Sequence, residues 1–177
     1  MSDLFAQAIN LEETNPDAAL RLYQRVLDED DKHVAAYVNA GTIHYNKGQF
    51  VKAEECYLNA IHLDPKYALA YFDLANVYDE TGHRGTAIKM YEKALKIDPD
   101  YADAHYNLAL VCGNTGERRK SLMHFQAYLK LDIKSAWADH ARSVITQLTV
   151  NDPLKVVRFN PRPKLTKRRA KLMLVKR

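Results

Sequence analysis

The chain has little of what marks a metal site, a disulfide scaffold or a membrane span. Its 177 residues include two cysteines, Cys56 and Cys112, which lack metal-ligand spacing and are too few for a disulfide framework. No run of about 18 apolar residues occurs, and the first residues show neither the basic start nor the apolar core of a signal peptide. We therefore expect a cytoplasmic protein in which both cysteines are small buried side chains.

Glycine and proline are also scarce, with six residues of each, which argues against a loop-rich chain and favours helix. The sequence contains no CxxC motif, no HExxH motif and no glycine-rich phosphate loop. Adjacent acids such as Glu54 and Glu55 point in different directions on a helix, so they fail as an acid–base pair. We therefore predict that the protein is not an enzyme and uses no metal or cofactor.

The net charge of +4 is unevenly distributed along the chain. Residues 150–177 carry ten Lys and Arg against one acid, Asp152, so this segment has a net charge of +9. The preceding 149 residues carry 16 basic and 21 acidic side chains, a net charge of −5. The sequence thus predicts an acidic body followed by a basic tail.

A period of 34 residues organises the body. Segments 34–67, 68–101 and 102–135 align without gaps, and the same register makes residues 1–33 a fourth copy. Small residues recur at the eighth and twentieth positions: Gly41, Ala75 and Ala109, then Ala19, Ala53, Ala87 and Ser121. The twenty-fourth position holds an aromatic ring in every copy: Tyr23, Tyr57, Tyr91 and Phe125. Small residues beside large rings predict helices that pack closely in stacked layers.

Turn residues separate two helices within each copy. Three copies have a glycine that can take a left-handed backbone and end the first helix: Gly48, Gly82 and Gly116. The first copy instead has Asn15 as an N-cap and Pro16 at the first helical position. Asp64-Pro65 and Asp98-Pro99 predict the ends of two second helices, because proline cannot continue them.

This pattern resembles the tetratricopeptide repeat family, most specifically in the two middle copies. The residues that carry the resemblance are Tyr37, Ala40, Gly41, Tyr57, Ala60 and Pro65, then Tyr71, Leu74, Ala75, Tyr78, Ala87, Tyr91, Ala94 and Pro99. It implies an all-α, right-handed superhelix of four hairpins at 1–33, 34–67, 68–101 and 102–135, an α-solenoid. A capping helix at 136–148, with Trp137, Ala141, Val144 and Leu148 on its packing stripe, and a basic tail at 149–177 would follow.

In this family the first helices of successive copies line a concave peptide-binding groove. The resemblance places eleven residues of this chain there: Asn39, Thr42, Tyr45, Phe72, Asp73, Asn76, Asp79, Glu80, Asp103, Tyr106 and Asn107. The three asparagines would hold peptide main chain, the four acids would select basic side chains, and the three rings would supply apolar contacts. The alternative is that the acids only solvate an exposed helix face. A family clamp for acidic chaperone tails is missing, since of its positions only Asn39 matches.

The predicted function is therefore a protein–protein interaction module that binds an extended, basic peptide, with its own or a neighbour's C-terminal tail as one candidate. One alternative is a homo-oligomeric scaffold. Another is weak, non-specific nucleic-acid contact through the tail cations, namely Arg158, Arg162, Lys164, Lys167, Arg168, Arg169 and Lys171. The tail could also dock on a membrane or partner helix through residues 172–175, or be a disordered, solubilising end.

Overall fold

The computed structural model describes residues 2–149, with side chains from residue 4 onward. This part of the chain forms nine α-helices and no strand, which confirms the prediction of an all-α fold. In chain order the helices are α1 (Ser2–Leu11), α2 (Pro16–Glu29), α3 (Val34–Asn46), α4 (Phe50–Leu63), α5 (Ala68–Glu80), α6 (Arg84–Ile97), α7 (Ala102–Asn114), α8 (Arg118–Leu131) and α9 (Ala136–Thr149). None of these helices is long and apolar enough to cross a membrane.

Consecutive helices pack on each other throughout, so that α1–α2, α3–α4, α5–α6 and α7–α8 form four stacked hairpins, with α9 on the last. The hydrophobic core is divided into four clusters, and each cluster spans three consecutive helices. The cluster of the first hairpin includes Ala36 and Ile43 of α3, and that of the third includes Leu108 of α7. Each hairpin therefore completes its core only with the first helix of the next one.

The helix ends follow the predicted local chemistry. Asn15 accepts a hydrogen bond from the backbone N–H of Ala18 at 3.1 Å, and Pro16 is the first residue of α2, which confirms the predicted N-cap. Asp64 and Asp98 directly follow the last residues of α4 and α6. The three turn glycines have φ angles of 71°, 82° and 82°, for Gly48, Gly82 and Gly116. These values lie in the left-handed region, where a side chain would be strained.

The rings at the twenty-fourth position are among the largest fully buried side chains, and Tyr23, Tyr57, Tyr91 and Phe125 are all 0% exposed. The small residues beside them leave the space that these rings occupy. A Cβ atom added at Gly41 would lie 2.7 Å from Cε1 of Tyr57 and 3.1 Å from Cβ of Cys56. The second hairpin therefore depends on the absence of a side chain at Gly41.

The capping helix corrects one expectation. Its buried face consists of Ala138, Ala141, Val144 and Leu148, so Trp137 is not part of that face. Trp137 is 36% exposed and packs edge-on against Tyr106, with ring centroids 5.5 Å apart. The small Ala138 permits close contact with the last hairpin, whereas the indole is too large for that position and lies at the margin of the core.

Three polar side chains lie within the packing of the fourth hairpin: His105, His124 and Ser121. His105 Nε2 donates to the carbonyl of Pro99 at 3.0 Å, so its Nδ1 is the acceptor for the Nδ1–H of His124 at 2.9 Å. Burial, together with His105 and Lys120, lowers the pKa of His124 to about 4. Ser121 is fully buried, and its hydroxyl has no hydrogen-bond partner among the described residues, at a position where the other copies have alanine.

We predict that Gly41→Ala lowers the free energy of unfolding by roughly 1–3 kcal/mol, because the added methyl group overlaps the buried Tyr57 ring. Gly85→Ala is the matched control. Gly85 lies in α6 and its added Cβ would meet nothing within 4 Å, so this change should stabilise the chain by about 0.5–1 kcal/mol. Urea unfolding followed by circular dichroism measures both, and a neutral Gly41→Ala variant would contradict the packing described.

We predict that stability falls between pH 6.5 and 4 through His124. Its pKa of about 4 in the folded chain lies below the ordinary value of 6.5, so the unfolded chain binds the proton first as the pH drops. This contribution to stability is complete above pH 6.5 and decreases by roughly 3 kcal/mol on acidification. His124→Asn keeps a short hydrogen-bonding side chain that does not titrate. Urea midpoints of the two proteins should therefore converge as the pH falls, and parallel pH profiles would contradict this assignment.

Candidate functional site

The eleven residues predicted to bind peptide all lie on α3, α5 and α7, the first helices of three successive hairpins. They form two sets that differ in burial. We call the buried set the floor: Asn39, Phe72, Asp73, Asn76, Tyr106 and Asn107. We call the partly or fully exposed set the rim: Thr42, Tyr45, Asp79, Glu80 and Asp103. The surface open to a ligand is therefore provided mainly by the rim.

Two of the floor asparagines, Asn39 and Asn76, are hydrogen-bonded to buried tyrosines of the core. Asn39 Nδ2 donates to the hydroxyl of Tyr23 at 3.0 Å, and that hydroxyl donates to Glu12. The hydroxyl of Tyr91 donates to Oδ1 of Asn76 at 2.5 Å. These bonds satisfy hydroxyl groups that would otherwise be buried without a partner, which costs about 1–3 kcal/mol each.

One further bond links two hairpins through this network. Asn107 Nδ2 donates to the same Oδ1 of Asn76 at 3.0 Å, so α5, α6 and α7 meet at one amide oxygen. In the second hairpin the hydroxyl of Tyr57 lies 3.3 Å from Oγ1 of Thr42. Polar groups on the first helices thus form hydrogen bonds with the tyrosine hydroxyl of their own or the preceding hairpin.

The fourth hairpin replaces this polar arrangement with an apolar one. Its ring is Phe125, which has no hydroxyl, and the position of Asn76 is taken by Leu110. Both are buried in one cluster together with Ala141 of α9. The sequence contains this correlation, because Tyr57 and Tyr91 are paired with Thr42 and Asn76, whereas Phe125 is paired with Leu110. It was not identified in the sequence analysis.

Asn39 and Asn107 keep a hydrogen-bonding atom beyond this network. The bonds of both use the amide nitrogen, and in the part of the chain that the structure describes their carbonyl oxygens have no partner. The two residues are 8% and 7% exposed. Each therefore presents one acceptor at the base of the surface, whereas its donors face the core.

The aromatic residues of the site differ in role. Phe72 stacks on Tyr101 with centroids 4.9 Å apart, and it lies edge-on to Tyr91 at 5.6 Å. Tyr106 is enclosed by the rings of Phe125, Tyr128 and Trp137, and its hydroxyl lies 2.6 Å from Nδ1 of His140. Burial raises the pKa of Tyr106 and lowers that of His140, so both are neutral at pH 7. Phe72 thus links the third hairpin to the turn before α7, and Tyr106 links the fourth hairpin to α9.

Tyr45 lies on the rim instead. Its hydroxyl donates to Oε1 of Glu80 at 3.4 Å, and its ring lies edge-on to Phe50 at 5.7 Å. This contact connects the last turn of α3 with the last turn of α5. A phenol ring and a carboxylate are thereby placed side by side near the C-terminal ends of two first helices.

The charges of the body are separated by helix type. All 16 Lys and Arg residues of the body lie on the second helices, in turns or on α9, and α1, α3, α5 and α7 contain none. The acids on these four first helices are Asp3, Asp73, Asp79, Glu80 and Asp103. Asp79 forms an ion pair of 3.5 Å with Arg84 at the start of α6. Apart from two histidines, His44 and His105, the ionisable side chains that distinguish the first helices are therefore acids without any Lys or Arg.

The remaining points of the sequence analysis concern metal ligands, the two cysteines and the basic tail. No group of three His, Cys, Asp or Glu residues within residues 4–149 is arranged to hold a metal ion. The thiols of Cys56 and Cys112 have pKa values raised to about 11, mainly by burial. The predicted tail residues Arg158, Arg162, Lys164, Lys167, Arg168, Arg169 and Lys171 lie outside the described residues.

Two family models match the chain. One, described as TPR repeat, matches residues 41–82 and 85–116, and the other, described as Tetratricopeptide repeat, matches residues 10–59. Together they cover more than half of the chain. A comparison with curated proteins finds no match.

Solved structures share the fold at low sequence identity. MamA is 22% identical with a TM-score of 0.66, over 84% of this chain and 87% of its own. YrrB, described as a TPR protein with an unusual peptide-binding site, is 20% identical with a TM-score of 0.66, over 81% and 75%. A mutant O-GlcNAc transferase of Thermobaculum terrenum is 23% identical with a TM-score of 0.67, over 73% of this chain and 25% of the transferase. The repeat matches and the shared fold show that the chain belongs to the tetratricopeptide repeat family.

Proposed function

We propose that the chain is a non-catalytic binding module that holds an extended, basic polypeptide segment along the first helices of its hairpins. The observation that carries this proposal is the separation of charge, since α1, α3, α5 and α7 have five acidic residues and no Lys or Arg, and three of these acids, Asp79, Glu80 and Asp103, lie on the rim. Solvation alone would not require every cation to be excluded from one set of helices. A surface of one sign attracts and orients a ligand of the opposite sign.

The rim provides the side-chain contacts of the proposed complex. Tyr45 and Glu80 are neighbours, so a Lys or Arg of the ligand can lie over the phenol ring while its charge faces the carboxylate. Asp79 and Asp103 extend the negative surface to the last turn of α5 and the first turn of α7. The expected specificity is for positive charge rather than for one particular sequence.

The floor provides main-chain contacts. The carbonyl oxygens of Asn39 and Asn107 can accept hydrogen bonds from peptide N–H groups, which every residue except proline offers. Two helix spacings of roughly 10 Å separate α3 from α7. An extended ligand therefore needs about six residues, at about 3.3 Å each, to reach both acceptors.

The fold family supports a protein or peptide as the partner, and YrrB is itself described as having a peptide-binding site. Binding rather than catalysis agrees with the use of the chain's histidines and tyrosines in internal hydrogen bonds. A cytoplasmic location stays a prediction.

We predict that neutralising three rim acids, by Asp79→Asn, Glu80→Gln and Asp103→Asn, weakens binding of a basic peptide about tenfold, because each exposed pair contributes up to about 1 kcal/mol. The probe is a fluorescein-labelled peptide of roughly 12 Lys, Arg, Val and Pro residues, long enough to span α3 to α7 in extended form. Fluorescence anisotropy measures Kd. To reduce competition, the titration uses a variant, called tail-neutral below, in which Arg158, Arg162, Lys164, Lys167, Arg168, Arg169 and Lys171 are replaced by glutamine, which lowers the net charge of the tail from +9 to +2.

The matched control removes three acids from outside the first helices, by Glu29→Gln, Asp31→Asn and Glu55→Gln, which changes the net charge equally. It should retain the parent Kd to within about twofold. A second probe, in which Glu replaces each Lys and Arg, should not bind. Equal losses in the rim variant and the control, or equal binding of both probes, would contradict recognition by the first helices.

A further inference from the structure

We propose that the resident ligand of this surface is the chain's own basic tail, docked in cis through the segment 154–171. This inference rests on the proposed function and names its ligand. The segment has the sequence LKVVRFNPRPKLTKRRAK and lies outside the described residues. Three features of the chain support this docking: the place where the described chain ends, the length of the tail, and the opposite charges of tail and rim.

The described chain ends beside the acidic surface. The Nε of Arg118, the first residue of α8, donates to the carbonyl of Leu148 near the end of α9 at 2.8 Å. The end of α9 therefore lies next to the start of α8, and so next to the turn that follows the last residue of α7, Asn114. This is the C-terminal end of the first helices, where α5 carries Asp79 and Glu80.

The tail is long enough to follow the surface from this point. Thr149 ends α9 beside α7, and α5 and α3 lie roughly 10 and 20 Å further along the array. Lys155 is six residues beyond Thr149, which corresponds to about 20 Å of extended chain. The whole tail can extend over roughly 90 Å, so no part of the surface between α7 and α3 is out of reach.

The composition of the segment fits the ligand class described above. Eight of its residues are Lys or Arg and none is acidic, whereas the first helices carry acids and no Lys or Arg. Pro161 and Pro163 favour an extended backbone in the residues that precede them. Val156, Val157 and Phe159 offer apolar contacts between the cations. A basic and partly apolar segment, whose prolines favour an extended backbone, is thus already attached to the array.

Attachment favours the chain's own tail over that of a second copy. A ligand joined by a short flexible link has an effective concentration on the order of millimolar, far above ordinary protein concentrations. If the free segment binds with a Kd of about 100 μM, docking in cis weakens the binding of an external peptide about tenfold. An external partner would therefore need a higher affinity for the surface in order to displace the tail.

The first experiment compares external-peptide binding to the wild-type chain and to the tail-neutral variant, with the same basic probe and fluorescence anisotropy. We expect the wild-type chain to bind about tenfold more weakly, and the difference to disappear at high salt. A charge-conserving control, in which the same seven tail positions exchange Lys and Arg, should behave as wild type. Equal affinities of the wild-type and tail-neutral chains at low salt would overturn docking of the tail.

The second experiment locates the tail. A zero-length carbodiimide reagent joins lysine amines to carboxylates in direct contact, and it is applied to an equal mixture of ordinary and nitrogen-15-labelled full-length protein. We expect links from Lys155, Lys164, Lys167 or Lys171 to Asp79, Glu80 or Asp103, with both linked peptides carrying the same isotope. Mixed-isotope links would assign the surface to a second copy. Links spread equally over Glu29, Asp31 and Glu55 would indicate non-specific contact, and either result overturns the proposal.

These outcomes separate this inference from the proposed function. If the tail-neutral variant binds the basic probe but the wild-type chain shows no competition and no links to the rim, only docking of the tail is wrong. If the tail-neutral variant fails to bind any basic probe while its circular dichroism and unfolding midpoint match wild type, the proposed function is wrong as well.

Discussion

The structure depends on one aromatic ring per hairpin, buried where two hairpins meet. Tyr23, Tyr57, Tyr91 and Phe125 are fully enclosed, and the small residues around them allow the helices to approach. A buried phenol brings a constraint that a phenyl ring does not, because its hydroxyl needs a hydrogen-bond partner. The first helices meet this constraint with Asn39, Asn76 and Thr42, and the fourth hairpin avoids it with Phe125. Packing therefore determines which polar groups lie at the base of the concave surface.

This constraint divides the site into residues that maintain the array and residues that can respond to a ligand. Floor residues such as Asn76 join adjacent hairpins, so a substitution there changes stability together with any binding. Rim residues such as Glu80 and Asp103 are exposed, and their charge can change without disturbing the core. A change in the rim would therefore alter any preference for ligand charge and leave the hydrogen bonds of the floor in place.

Features that depend on local chemistry could be predicted from the sequence. The turn glycines, the cap at Asn15 and the helix ends at Asp64 and Asp98 follow from backbone preferences that neighbouring residues determine. Burial on the first helices could not be predicted in the same way, because it depends on the next hairpin. Tyr106 was expected to face a ligand, yet four rings of α8 and α9 enclose it. The separation of charge by helix type is present in the sequence. It becomes apparent only when charges are compared between individual helices, because the totals for the body and the tail do not show it.

The polar groups buried in the fourth hairpin have a consequence for the order in which the array opens. In a linear array, each unit is held only by its neighbours, so separation begins at the weakest junction rather than throughout the molecule. The paired imidazoles of His105 and His124 and the unsatisfied hydroxyl of Ser121 all lie in α7 and α8. Protonation of His124 on acidification therefore weakens the C-terminal hairpin in particular, because the equivalent positions of the other hairpins hold Leu22, Cys56 and Met90, none of which binds a proton in acid. The protein would pass through a partly opened state in which α9 and everything attached to it detach from an otherwise intact scaffold.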